Sequence, residues 1–212
     1  MTYLADVGAL ARKDLLLELR ARDTLPAMLL FVVSTLVVFH FVLPADSSDL
    51  AATGLLWVAL LFTALLGLSR AFAAEREQGV IDGLVLAPSD RSAIWLGKSI
   101  SILAFLALAE VIALPAYALF FQPVDAALVG CVALADVGIA AVGTLLAAMA
   151  TASRTRELLL PLLFLPLAIP IVIGGVGASV AAEPARYLGL LGLYDALFAI
   201  ICWASFEYVV TE

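Results

Sequence analysis

One histidine and two cysteines in 212 residues leave this chain poor in the side chains that hold transition metals. Cys131 and Cys202 both fall inside apolar stretches, with no Cys-x-x-Cys, no Cys-x-x-Cys-His and no cysteine–histidine cluster. A structural disulfide, a zinc site and covalent haem attachment are therefore not expected, and no metal site is assigned. Both thiols read as small packing groups. Charge is scarce as well: Asp, Glu, Lys and Arg make up 14% of the chain against 65% hydrophobic residues, and the mean hydropathy is +1.15. A soluble domain of this length could not hide so much apolar surface. The chain reads as an integral membrane protein. Its first 24 residues are polar and basic, without a small-residue cleavage site after an apolar run, so the first span is expected to stay as an anchor. The net charge of −7 and the placement of the basic residues beside apolar segments argue against nucleic-acid binding.

Catalytic motifs are missing too. Gly97-Lys98-Ser99 resembles the end of a phosphate-binding loop, but position 92 is serine where that loop needs glycine. Lys98 also opens an apolar span instead of a helix that follows a strand. The polypeptide is thus not expected to hydrolyse ATP, and it is not read as an enzyme. Ser179 sits among Gly174, Gly175 and Gly177, but nothing around it resembles a nucleophile turn, and the glycines have a packing explanation.

Six apolar stretches are long enough to cross a hydrocarbon core of about 30 Å. They cover residues 25–43, 50–72, 99–121, 126–150, 158–181 and 187–210. The connections are short except for residues 73–98, and one domain, residues 1–212, accounts for the chain. Ten of the 11 basic residues precede the first span, flank the long loop or lie between the fourth and fifth spans, leaving Arg186 alone on the other side. The positive-inside rule then places both termini and the 73–98 loop in the cytosol. The expected fold is all-α, with six transmembrane helices, an N-terminal interfacial helix and a short cytosolic coupling helix.

Within residues 1–24, Leu4, Ala11, Leu15 and Leu19 recur at near-helical spacing, with Asp6, Lys13 and Arg20 opposite. This pattern suits a helix lying on the membrane surface, the alternative being a solvated helical tail. The long loop is the most polar interruption of the apolar pattern, with Glu75, Glu77 and Gly79 at its start. Val80, Ile81, Leu84 and Val85 follow at a spacing that puts four apolar side chains on one helical face. Pro88 stops that helix, and Ser89-Asp90 can cap the next. Such a helix suits contact with a soluble partner; an ordinary surface loop is the other reading.

Three carboxyl groups fall within apolar surroundings: Glu110, five residues before Pro115, and Asp136 and Asp195. A carboxylate facing lipid is costly, so these should face the bundle interior, a polar cavity or a partner. They could form an intramembrane polar site or simply join helices by hydrogen bonds. Pro161, Pro166 and Pro170 lie in one span, where each removes an amide donor and frees a carbonyl a turn earlier. That span is expected to be kinked or broken, either as a moving, cavity-lining element or as a static bend. His40, at the outer end of the first span, could contact haem iron or be solvated or hydrogen-bonded to a neighbour.

The loop, with its acidic start, short helix, proline and Gly97-Lys98 opening the next span, resembles the signature of ABC type-2 exporter permeases. LWVALLFTALLGLSR at 56–70, the three-proline span, and LYDALF at 193–198 with FEY at 206–208 together resemble the haem exporter B (CcmB) family of cytochrome c maturation, over almost the full length. The resemblance implies a permease subunit of the prokaryotic inner membrane for haem export or haem-chaperone handling. It implies that ATP is bound by a separate subunit, CcmA, docking on the loop. CcmC, CcmD, the haem chaperone CcmE, membrane lipid and a second permease copy are the other implied partners. Haem is implied as a substrate and no cofactor is covalently bound. Two other functions fit the same residues: a permease for another amphiphile, and a non-transporting assembly subunit that releases haem-loaded chaperone.

Overall fold

A computed structural model describes residues 3–44, 48–72, 75, 90–151, 156–181 and 183–211. Among these, the chain is all-helical: α1 (Tyr3–Ala21), α2 (Thr24–Val42), α3 (Asp49–Arg70), α4 (Arg91–Phe120), α5 (Ala126–Thr151), α6 (Arg156–Val180) and α7 (Ala185–Thr211). Six of them, α2 to α7, are long and apolar enough to cross a membrane. The protein is an integral membrane protein of all-α class.

The helix starts follow local chemistry. Ser48 caps α3 by accepting from the Ala51 amide, and the Asp90 carboxylate accepts from the Ser92 amide at 2.9 Å to open α4. Asp90 is the expected cap, but α4 departs from expectation in length. It begins at Arg91, not at residue 99, so the 73–98 connection ends eight residues sooner than the apolar pattern implies. The added two turns carry Ile94 and Trp95, both buried, and they form a seat for α1.

That seat redefines the N-terminal helix. Val7, Ala11 and Asp14 are buried, one turn apart along the face that meets α4, while Leu4 and Leu19 stay exposed. At Gly97 the two backbones close in: a Cβ there would stand 2.8 Å from the Leu10 Cβ and 3.2 Å from the Val7 carbonyl. The face that holds α1 to the bundle is thus Val7–Ala11–Asp14, and the leucines at 4 and 19 are left outward, where an interfacial helix meets lipid.

At the centre stands α5. It packs against α4, α6 and α7, and 61% of its apolar window is buried, against 17% for α2 at the periphery. Its Gly138, Ala140, Ala141, Gly143, Ala147 and Ala148 allow the neighbouring backbones to approach, which matters where lipid supplies no hydrophobic drive between helices. The glycines of α6 work similarly: Gly175 lies under the Trp57 indole, Gly174 against Leu191 and Gly177 against Tyr187. Of the two forms expected for this span, kinked or broken, the break does not occur: α6 runs as one helix through Pro161, Pro166 and Pro170. In the stretch loosened by the last two prolines, the Tyr194 hydroxyl of α7 donates to the Leu167 carbonyl at 2.8 Å.

Candidate functional site

Four charged side chains meet where the long loop leaves α3. The Lys98 ammonium on α4 has three N–H groups and three acceptors: the Ala71 carbonyl at 2.7 Å, Glu75 Oε1 at 2.8 Å and Asp14 Oδ2 at 3.2 Å. Lys13 on α1 closes the ring, 2.8 Å from Glu75 Oε1 and 3.0 Å from Asp14 Oδ1. Phe72 places its ring 4.7 Å from the Lys98 nitrogen. Ala71 is the C-cap of α3, so Lys98 also satisfies a carbonyl that the helix leaves without a donor. The cluster therefore ties α1, the end of α3, the root of the loop and α4 to one another.

Lys98, Glu75 and Asp14 are each less than a tenth exposed. Burial favours a neutral Glu75, but the Lys98 charge and the Lys13 hydrogen bond outweigh it and hold the carboxyl below its usual range. Lys13 loses hydration as well, yet the hydrogen bond to Glu75 and the Asp14 charge raise its ammonium above the usual lysine range. The second Glu75 oxygen and the Thr24 hydroxyl have no hydrogen-bond partner among the described residues. Both residues line a cavity of about 40 Å³ between α1, α2, α3 and α4, wide enough for water to serve them.

Of the loop residues read as partner-facing, Glu75 turns inward to this cluster. Glu77, Gly79, Val80, Ile81, Leu84 and Pro88 lie outside the described residues, as does the expected coupling helix. Sequence reasoning passed over Asp14 and took Lys98 for the mouth of a span. The signal available was Asp14 itself, an acid seven residues after Val7 on the same helical face.

The three intramembrane carboxyls divide. Glu110 on α4 and Asp136 on α5 come together, side chain to side chain within hydrogen-bonding reach, in a small cavity also lined by Trp57, Leu61, Ile139 and Ile171. A hydrogen bond between two carboxyls requires a proton on one of them, so the pair can join α4 to α5 without a net double charge. Asp195 stands apart, packed against Gly138 of α5, with both oxygens buried and without a hydrogen-bond partner among the described residues. Trp57 donates from its indole nitrogen to Ser179 at 3.3 Å, and Ser179 in turn donates to the Gly175 carbonyl. That gives Ser179 a packing role between α3 and α6.

At the other end of the bundle, Gln122 donates to Thr53 at 2.9 Å and to Tyr117 at 2.7 Å, a neutral network linking α3 and α4. His40 in the last turn of α2 lies nearby in the fold, its Nδ1 2.8 Å from the Phe120 carbonyl and its ring among Phe41, Phe120 and Phe121. This is the neighbour hydrogen bond anticipated for it.

The sequence profile described as CcmB protein matches residues 6–206. A protein of Rhodobacter capsulatus named "Heme exporter protein B" is 32% identical, over 93% of this chain and 95% of its own length. Its namesake in Bradyrhizobium diazoefficiens is 29% identical over 96% of this chain and 92% of its own. A third, from Paracoccus denitrificans, is 32% identical over 86% of this chain and 88% of its own. The match runs from α1 into α7 and takes in the charged cluster, and on that extent this chain belongs to the CcmB family.

Proposed function

We propose that this chain is the permease subunit of an ABC-type complex that exports haem, or handles its chaperone, for cytochrome c maturation. A separate ATPase, CcmA, supplies the energy by docking on the 73–98 loop. CcmC, CcmD, CcmE and a second permease copy complete the assembly in the prokaryotic inner membrane. The charged end of the bundle, with both termini, faces the cytosol, in line with the excess of Lys and Arg there.

The observation that carries this reading is the clamp at the loop's root. With Glu75 held by Lys13 and Lys98, a push on the loop reaches α1 and α4 together and is not absorbed at a slack hinge. The relatives' printed name supports haem as the cargo. Affinity purification of the tagged chain from native membranes tests the proposal. Recovery with an ATP-binding subunit and a haem-handling membrane protein is expected; a chain that brings down no ATPase would contradict it. Haem movement in reconstituted vesicles then separates transport from ATP-driven release of a haem-loaded chaperone.

A further inference from the structure

We propose that His40 is an axial-ligand site for an iron porphyrin at the end of the bundle opposite the ion cluster. The argument begins with a helix terminus. The last carbonyls of α4 have no intrahelical donor, and His40 Nδ1 reaches the one on Phe120 at 2.8 Å. A carbonyl oxygen can only accept, so Nδ1 carries a proton, and in the neutral imidazole Nε2 then keeps its lone pair. No residue among those described bonds Nε2, and the side chain is exposed. An imidazole fixed by an Nδ1–H bond to a backbone carbonyl, with Nε2 free, has the arrangement that orients metal-binding histidines.

The surroundings select the kind of metal. A bare ion would need several protein donors, and no group of three His, Cys, Asp or Glu suited to one occurs among the described residues. An iron porphyrin brings four nitrogens of its own and needs only an axial ligand. It also brings a broad apolar plane. Around His40 the rings of Phe41, Phe120 and Phe121 stand 5.3, 5.3 and 5.9 Å away, centroid to centroid. Phe41, whose ring meets the imidazole, is 80% exposed, so apolar surface beside His40 is left uncovered by the described residues. The inference deepens the proposed function and rests on it for the choice of porphyrin as ligand.

The test uses the purified full chain in lipid nanodiscs, titrated with haemin and, in parallel, with metal-free protoporphyrin. Haemin should give a saturable Soret shift with the wild-type chain and none beyond lipid background with His40→Ala. His40→Asn can still donate to the Phe120 carbonyl and keep the α4 end capped; it too should lose the shift. Protoporphyrin, which needs no ligand, should associate equally with all three. A wild-type chain without the shift, or an Asn variant that retains it, overturns the site. Either result leaves the permease proposal standing if the same chain still recovers its ATPase. A shift in a chain that recruits no ATPase supports the site and sinks the permease proposal instead.

Discussion

The two ends of this bundle are held by different chemistry. Where α1 docks and the long loop departs, two lysines and two carboxylates interlock, with Lys98, Glu75 and Asp14 buried and Lys13 partly open to solvent. Where α2 meets the end of α4, neutral hydrogen bonds and aromatic rings serve: Gln122 with Thr53 and Tyr117, and His40 with Phe120. A buried ion cluster is costly to disturb by halves, because each lost partner strands a charge. It suits a joint that must transmit force without yielding. An aromatic end joined by side-chain hydrogen bonds costs less to alter, and it leaves His40 Nε2 without a partner among the described residues.

The largest effect should come from breaking the charged end. Lys98→Met leaves Asp14 and Glu75 to share Lys13 as their cation and takes the buried ammonium from between them, and a loss of about 3–5 kcal/mol is expected in unfolding of the detergent-solubilised chain. Adding Glu75→Gln to Lys98→Met should recover part of that loss. Strictly additive effects would mean that the two side chains do not act as a unit. Acid should weaken the same joint reversibly. The lowered carboxyl of Glu75 makes its contribution present at neutral pH and lost as pH falls through a value below the usual glutamate pKa of about 4.3. The raised Lys13 loses its share only as pH climbs above the usual lysine value of about 10.4. Stability attributable to the cluster should therefore be flat between these limits; a midpoint near neutrality in thermal unfolding would contradict the pairing.

At the neutral end the expected costs are smaller. Tyr117→Phe removes one hydroxyl while Gln122 keeps Thr53, and about 1 kcal/mol of stability should go. A loss as large as that at Lys98 would erase the contrast between the ends. The smallest effect is expected between them. Glu110→Gln can still donate to Asp136, so stability should fall by less than about 1 kcal/mol and haem-dependent cytochrome c production should hold. A severe maturation defect with normal complex levels would make the carboxyl pair part of the working path.

The sequence pattern announces the spans well because each is a long apolar run bounded by charge, and the Asp90 cap is a local signal one helix turn wide. Gly174, Gly175 and Gly177 were likewise legible as points of close approach. The ion cluster was not. Lys13 and Glu75 are 62 positions apart, and periodicity says nothing about which distant charges will meet. Asp14 was passed over because an acid on the buried side of α1 becomes tolerable only once Lys98 arrives from α4. The early start of α4 was hidden for the same reason, since its polar first turns become helical against α1. His40 was recognisable as a lone imidazole, but its tautomer depends on a carbonyl 80 residues away.

The account rests most heavily on the claim that the loop leaving the charged end receives an ATPase. Co-purification of that ATPase with the chain carrying Val80→Asp and Leu84→Asp together tests it most directly, read against the amount of chain in the membrane. The paired substitution places charge on the apolar face read from the sequence for residues 80–85 and leaves Glu75 and its lysines unchanged. The predicted result is a chain inserted at normal levels that no longer recovers the ATPase. Equal recovery, with ATP hydrolysis by the complex unchanged, would contradict the claim.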